Sequence, residues 1–150
     1  MEVGDLVRPA QVIADLRVRD KAGLTAELSR RAAAVLPVEP HVVEAALAAR
    51  ERLGSTGLGR GFALPHARLG GLDHFFGLFA RLARPIAFDA IDERPVDLLF
   101  LLLIPETAGN EHVAALAAIS RRMRDAAFAQ RLRKATGAGE MYAILTDAAA

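Results

Sequence analysis

The segment from Val96 to Ile104 constrains the fold of this chain more than any other, because it is apolar on both faces. Six leucine, isoleucine or phenylalanine residues follow Leu98 in succession. A strand without polar alternation is typical of a sheet that is covered on both sides. The unbroken apolar run ends at Pro105 and is too short to span a bilayer. The segment therefore predicts a central strand and not a membrane helix.

Strands and helices alternate along the rest of the chain. The alternating residues 12–17 predict a half-exposed strand near a sheet edge, and further strands are predicted at 62–64 and 72–82, with a loop from Arg84-Pro85. Helical spacing predicts helices at 21–36, 40–53 and 111–124, and two short helices, one capped by Asp125 and one after Gly137 and Gly139. The sequence therefore predicts an α/β sandwich, in which helices flank a single sheet.

The composition limits the class of protein. At 150 residues, the chain is predicted to be a single domain spanning residues 1–150. A formal charge of +1 gives no global electrostatic reason to bind nucleic acid or a membrane. Zero cysteines exclude disulfides, catalytic thiolates and thiolate-bound metals. The acidic N-terminus is unlike a signal peptide, so we expect a soluble, cytoplasmic protein.

The stretch from Gly54 to Arg68 carries the residues with the clearest chemistry. Its glycines favour an irregular loop over a helix, because glycine tolerates positive φ: Gly57, Gly59 and Gly61. Pro65 is expected to stop a brief strand and to leave His66 at the end of that strand. Exposed N–H groups of the loop and the guanidinium of Arg60 or Arg68 suit the binding of a phosphoryl group beside this histidine.

Two interpretations of this stretch remain open from its residues alone. Glycine-rich loops without a ligand are common, and a lone histidine usually caps an element or packs in a core. The familiar nucleotide motifs do not fit. Arg60-Gly61 stands where a P-loop needs Lys-Ser/Thr, and the three glycines lack the G-x-G-x-x-G spacing of dinucleotide folds.

Two further side chains are predicted to lie near this loop. Arg50 is in the last turn of the second helix, directly before the loop, where it also complements the helix dipole. Asn110 is a suitable N-cap for the helix from Glu111, and His112 lies in its first turn, where free N–H groups attract anions. Since His112 is also in line with the buried face of this helix, a core histidine and an anion-binding histidine both remain open.

Four ordered blocks of the sequence resemble one known family. They are Arg-Glu-x-Leu-Gly-Ser-Thr-Gly-Leu-Gly from Arg50, Ala-Leu-Pro-His-Ala-Arg from Ala63, Pro-Ile-Ala-Phe-Asp-Ala-Ile-Asp from Pro85, and Pro-Val-Asp-Leu-Leu-Phe-Leu-Leu-Leu-Ile-Pro-Glu from Pro95. Together they look like the IIA domain of the bacterial phosphoenolpyruvate-dependent phosphotransferase system. The match is to the fructose/mannitol type, is closest to the nitrogen-regulatory branch, and covers nearly the whole chain.

The resemblance implies a fold and a site. It implies a mixed sheet of about five strands, with parallel and antiparallel pairs, flanked by helices. It also implies that His66 is phosphorylated by the small carrier HPr or its nitrogen-branch paralogue. His112 matches a second histidine near that site, and Arg50 matches an arginine of the same pocket. The expected phosphate-binding loop comprises Gly54, Ser55, Thr56, Gly57, Gly59, Gly61 and Arg68.

No cofactor is predicted. Phosphoryl transfer between two histidines is mainly positioning and charge stabilisation, so neither Mg²⁺ nor a nucleotide is required of this chain. A metal site formed by His66, Asp73 and His74 is also not expected, because the strand that begins near His74 leads away from the loop.

Leu58 and Leu69 are expected to form an apolar rim that suits docking of another protein.

Three functions remain open. The first is a phosphohistidine regulator that modulates partner proteins according to its phosphorylation state. The second is a sugar-transport IIA component that passes the phosphoryl group to a IIB domain. The third is a ligand-binding α/β module that is not phosphorylated. The first is favoured, because the sequence contains no IIB or membrane IIC segment and its Phe-Asp-Ala-Ile-Asp stretch resembles the regulatory branch.

Overall fold

A mixed sheet forms the middle layer of the structure, a computed structural model in which residues 2–147 are described. Its strands are β1 (Val12–Leu16), β2 (Gly57–Gly59), β3 (Phe62–Ala63), β4 (His66–Leu69), β5 (Phe76–Ile86) and β6 (Val96–Pro105). Their order is β1-β5-β6-β3-β2, and β4 also pairs with β6. Because β3 and β4 both run parallel to β6, they share one position in the sheet, which is therefore five strands wide, as predicted.

Within the described residues, five α-helices cover the two faces of this sheet. They are α1 (Lys21–Ala33), α2 (Pro40–Arg52), α3 (Glu111–Arg124), α4 (Ala126–Lys134) and α5 (Ala138–Thr146). The buried residues of α1 and α2 pack on one face, and those of α3, α4 and α5 pack on the other. The predicted α/β sandwich is confirmed, and β1 lies at a sheet edge, as its alternation indicates.

The strand β6 is the central strand that its apolar sequence predicts. It pairs antiparallel with β5, so that Phe79 lies opposite Phe100, and parallel with β3 and β4. Its side chains alternate between the two cores: Phe100 packs beneath α3, α4 and α5, and Leu101 packs beneath α1 and α2. Burial on both faces explains why the strand has no polar alternation from Leu98 onward.

Two segments that the sequence predicted to be loops belong to strands. The stretch at Gly57–Gly59, expected to be an irregular loop, pairs antiparallel with β3 and forms a β-hairpin. The loop expected at Arg84-Pro85 is part of β5, which continues to Ile86. The pairing of β5 with β6 shifts register between Arg81 and Ile86, and proline is tolerated at such an irregularity because its missing N–H is not needed there.

Candidate functional site

His66 is the first residue of β4, and not the last residue of the preceding strand as predicted. Pro65 interrupts the ladder as a donor, but its carbonyl accepts a hydrogen bond from the N–H of Leu102 at 3.0 Å, so pairing with β6 resumes. Alternation along β4 buries Ala67 and Leu69 in the core beneath α1 and α2, while His66 remains half-buried. The backbone of His66 is thus held by pairing with the central strand β6.

The hydrogen bonds of the His66 ring select one tautomer. Nδ1 lies 2.8 Å from the carbonyl oxygen of Leu64. Because a carbonyl oxygen only accepts, Nδ1 carries the hydrogen, and Nε2 keeps its lone pair. The Nε–H of Arg50 donates to this Nε2 at 3.3 Å. The ring is therefore held with its unprotonated nitrogen facing a guanidinium.

The environment of His66 favours the neutral ring. Burial lowers the pKa of His66 below its ordinary value, and the charge of Arg50 lowers it further, while the hydrogen bond to the Leu64 carbonyl opposes this shift. Glu51 raises the pKa of His66 and His112 lowers it, as smaller effects. The direction of the shift means that Nε2 is available as a nucleophile at neutral pH.

Arg50 reaches the ring from the last turn of α2. Its Nη1 donates to the carbonyl oxygen of Gly54 at 2.8 Å, which fixes the guanidinium against the residue that follows the helix. Its Nη2 has no acceptor among the residues that the structure describes. One donor of Arg50 therefore remains available beside His66.

The two hydroxyl residues of the expected phosphate-binding loop are engaged within the protein. The Ser55 hydroxyl donates to the carbonyl oxygen of Phe88 at 2.8 Å and accepts from the N–H of Gly57 at 3.0 Å. The N–H of Thr56 donates to Oε1 of Glu51 at 3.0 Å, and its hydroxyl donates to Oε2 of the same carboxylate. These hydrogen bonds hold the loop in its conformation.

His112 and Arg68 are brought together across α3 and β4. Nδ1 of His112 lies 3.1 Å from Nη2 of Arg68 and 3.2 Å from the carbonyl oxygen of Gly109. Arg68 also donates to the carbonyl oxygens of Ala108 at 3.0 Å and Gly109 at 3.3 Å. His112 is only half-buried and its Nδ1 contacts polar groups, so it is not a core histidine. Asn110 occupies the N-cap position, but its side chain makes no capping hydrogen bond.

Gly59 and Gly61 lie at the turn of the hairpin, away from His66. Phe62 is level with Leu98 of β6, whereas His66 is level with Leu102, a separation of about 13 Å along the strand. Positive φ angles of 96° at Gly59 and 82° at Gly61 form the turn. The structure therefore links Gly54 to the His66 site through Arg50 and separates Gly59 and Gly61 from it.

Arg60 belongs to the same distant turn. Its Nη1 donates to the carbonyl oxygen of Arg124 at 3.2 Å, at the C-terminal end of α3, and its own N–H donates to Asp92 at 2.8 Å. Of the two arginines considered as phosphate ligands from the sequence, only Arg68 lies beside His112.

The apolar rim differs from the prediction. Leu58 is 47% exposed, but Leu69 is only 4% exposed because the alternation of β4 turns it into the core. Sequence reasoning missed two exposed apolar residues that adjoin the site: Leu53, directly before Gly54, and Val113, directly after His112. No periodic signal marks them, because a single exposed apolar residue at a helix end belongs to no apolar stripe. Ile91 is exposed as well, but it lies beside Gly59 at the hairpin turn.

Residues 2–147 contain no group of three or more histidine, aspartate or glutamate residues that could hold a metal ion. Asp73 and His74 contact each other, with Oδ1 and Nδ1 2.5 Å apart, at the surface. None of the helices in this part of the chain has the length and apolar character that crossing a membrane requires.

Comparisons with known proteins agree on one family. The family described as "Phosphoenolpyruvate-dependent sugar phosphotransferase system, EIIA 2" matches residues 5–148. A nitrogen regulatory protein of Bradyrhizobium diazoefficiens is 44% identical over 145 residues, which are 97% of this chain and 95% of that protein.

Solved structures give the same result. Nitrogen regulatory protein IIA-Ntr of Neisseria meningitidis has a TM-score of 0.91 at 35% identity, covering 96% of this chain and 99% of that one. Enzyme IIAMTL of Escherichia coli, solved in complex with phosphorylated enzyme IIBMTL, has a TM-score of 0.75 at 18% identity, covering 93% and 96%, and shares the fold. The chain therefore belongs to the EIIA 2 family of the phosphoenolpyruvate-dependent sugar phosphotransferase system.

Proposed function

We propose that this protein is a phosphohistidine regulator that accepts a phosphoryl group on Nε2 of His66 from HPr or an HPr-like carrier. The observation that carries the proposal is the tautomer of His66. Its Nδ1–H is held by the carbonyl of Leu64, which leaves the lone pair of Nε2 beside Arg50. A nucleophile that is already deprotonated needs no general base.

The proposed step is an in-line exchange between two histidines. The lone pair of Nε2 of His66 forms a bond to phosphorus while the bond from phosphorus to the imidazole nitrogen of the donor breaks. That electron pair stays on the donor nitrogen, and the Nδ1–H of His66 stays on its ring. Catalysis then consists of alignment and of stabilising the charge on the three phosphoryl oxygens.

Arg50 and His112 are proposed to stabilise that charge. Nη2 of Arg50 is available beside the ring, and a guanidinium binds phosphoryl oxygens through charge-assisted hydrogen bonds. The contact with Arg68 requires an unprotonated Nδ1 on His112, whereas the contact with the Gly109 carbonyl requires Nδ1–H. The proposed donor is the first of these forms, in which a neutral His112 carries its hydrogen on Nε2. The phosphate-binding segment in this proposal is Gly54–Gly57, with Arg68 acting through His112.

The regulatory role is proposed from the relatives. Those at 44% and 35% identity are named nitrogen regulatory proteins, so we propose that partner proteins distinguish the phosphorylated and unphosphorylated forms. The alternative is transfer onward to a IIB domain, because enzyme IIAMTL is recorded in complex with phosphorylated enzyme IIBMTL. Either role places the protein in the cytoplasm, where phosphoenolpyruvate is available, as one domain acting without a cofactor.

The surroundings of the site suit a protein partner. Leu53, which precedes Gly54, is 85% exposed, and Val113, which follows His112, is 58% exposed. Apolar residues around a polar centre are what a docking protein can bury. His66 is only half-buried, so part of its ring is accessible, as a transfer partner requires.

The proposal is tested by incubating the protein with phosphoenolpyruvate, enzyme I and HPr. We expect one acid-labile phosphate per chain, measured by intact mass at neutral and acidic pH. His66→Ala should take up none, whereas His74→Ala, which removes an exposed histidine, should match the wild type. Phosphate that persists in His66→Ala would refute the assignment, and no uptake by the wild type would favour the module that is not phosphorylated.

A further inference from the structure

Glu51 is a mostly buried carboxylate that the proposed transfer step does not use. Its side chain is 13% exposed, and both of its oxygens are occupied. Oε1 accepts from the N–H of Thr56 at 3.0 Å and lies 2.9 Å from Nζ of Lys21, and Oε2 accepts from the Thr56 hydroxyl. A buried carboxylate with this many partners holds the groups bonded to it in fixed positions.

Lys21 connects this carboxylate to a second part of the chain. It is the first residue of α1, and its Nζ lies 3.4 Å from the carbonyl oxygen of Phe88 and 4.4 Å from the centre of the Phe88 ring. The same Phe88 carbonyl accepts the Ser55 hydroxyl at 2.8 Å. Lys21, Glu51 and Phe88 therefore hold both hydroxyl residues of the loop from two directions.

The Gly54–Gly57 segment depends on these bonds at its start. A methyl group placed on Gly54 would meet nothing within 4 Å, so no side chain packs against that position. The carbonyl of Gly54 nevertheless must stay in place, because it accepts from Nη1 of Arg50 at 2.8 Å. Its position is fixed by Arg50 and by the Gly54 N–H, which donates to the carbonyl oxygen of Glu51 at 3.1 Å, on one side, and by the bonds of Ser55 and Thr56 on the other.

We propose that Glu51 is a positioning residue of the His66 site: held by Lys21, its carboxylate fixes Thr56 and so keeps the Gly54 carbonyl where it aims Arg50 at Nε2 of His66. Arg50 and Glu51 are consecutive residues of the last turn of α2, and they hold the loop through different atoms. The effect on transfer rate rests on the proposed function, but the effect on Arg50 does not.

The test compares Glu51→Gln with Glu44→Gln, which makes the same change at an exposed position of α2. The glutamine amide loses the charge and one acceptor while keeping the shape. Two quantities are measured: the rate of phosphoryl uptake from phosphorylated HPr, and the ¹⁵N resonances of Arg50 Nε and of the His66 ring in the unphosphorylated protein. Glu51→Gln should slow uptake about tenfold, the loss of one charge-assisted hydrogen bond, and should shift both sets of resonances. Glu44→Gln should change neither.

The two readouts separate the possible failures. No uptake by the wild type would refute the proposed function, while the Arg50 resonance would still test the positioning. Slow uptake by Glu51→Gln with an unchanged Arg50 resonance would overturn the positioning role whatever the His66 ring shows, because the charge of Glu51 acts on His66 directly. Wild-type values for both quantities would overturn it as well.

Two more variants test the proposal in case Glu51→Gln does not fold. Thr56→Val keeps the ion pair and removes the hydroxyl, and it should shift the Arg50 Nε resonance in the direction of Glu51→Gln. Lys21→Met leaves the carboxylate without its cation and should lower the melting temperature more than Lys21→Met combined with Glu51→Gln. An unshifted Arg50 resonance in Thr56→Val, or equal melting temperatures for the single and double variants, would overturn the proposal.

Discussion

The Nε–H of Arg50 lies 3.3 Å from Nε2 of His66, so the guanidinium donates to the nitrogen that is proposed to carry the phosphoryl group. This bond and a bond to phosphorus cannot exist at the same nitrogen. On phosphorylation, Arg50 must exchange the ring nitrogen for a phosphoryl oxygen, while its bond to the Gly54 carbonyl keeps it in the site. The arginine thus orients the nucleophile before transfer and is placed to bind the transferred group afterwards.

Replacing Arg50 by alanine should slow phosphoryl uptake by about 10- to 100-fold. The estimate follows from the loss of one charge-assisted hydrogen bond, about 1.5–3 kcal/mol. The same variant should raise the pKa of His66, since the charge of Arg50 lowers it. Stopped-flow transfer from phosphorylated HPr measures the first effect, and ¹⁵N titration measures the second. Arg52→Ala, an exposed position in the same helical turn, is the control.

His112→Ala should also slow uptake without removing the phosphorylation site. His112 is tied to Arg68 and Gly109 at the start of α3, and its proposed role is to donate to a phosphoryl oxygen. We expect a rate loss of about tenfold and a final stoichiometry that still reaches one phosphate. His41→Ala, at an exposed position of α2, is a matched histidine control. A wild-type rate in His112→Ala would show that this histidine has no part in transfer.

Lowering the pH should slow phosphoryl uptake only below the pH range in which histidine ordinarily titrates. Burial lowers the pKa of His66 from 6.5, so its nucleophilic neutral form persists as the pH falls through 6.5 and is lost at the lower folded pKa. Between those two values the unfolded chain binds the extra proton, so this group makes stability rise with pH there. His66→Gln should flatten that part of a stability–pH curve. A ¹⁵N titration midpoint at or above 6.5 would contradict the prediction.

Phosphorylation is expected to alter the surface around His66 without rearranging the sheet. The phosphoryl group adds nearly two negative charges, and β4 is fixed to the buried strand β6 over its whole length. Amide chemical shifts should change within residues 54–70 and around His112. Large changes in α5, from about Glu140 onward, would instead require coupling through the opposite end of the sheet.

Gly57→Ala should destabilise the hairpin by about 1–3 kcal/mol, a typical cost of overpacking. A methyl group at Gly57 would lie 2.9 Å from both Cα and Cβ of Ala90, which are too close for two carbon atoms. Gly137→Ala is the matched control, since nothing lies within 4 Å of its added methyl group. Urea unfolding of the two variants measures the difference in stability. Equal midpoints would show that the backbone at Ala90 shifts to accommodate the methyl group.

Side-chain periodicity predicted the parts of the fold that depend on burial alone. The apolar run from Leu98 identified the central strand, because only a position covered on both faces tolerates it. The Asp125 carboxylate caps α4, as predicted, by accepting from the N–H groups of Ala127 and Phe128 at 3.0 and 3.3 Å. These features are local, so residue type and spacing are sufficient to find them.

The sequence by itself determined the family, the sandwich and the residues His66, Arg50 and His112 as candidates, because ordered motifs and hydrophobic spacing are properties of the chain. Only the tertiary structure decided which neighbours those candidates have. It placed Gly59 and Gly61 at the far end of the hairpin, turned Leu69 into the core, and joined Glu51 to Lys21. The reason is physical: strand register and the packing of α1 against α2 bring together groups that are distant in sequence, and no local pattern encodes those distances.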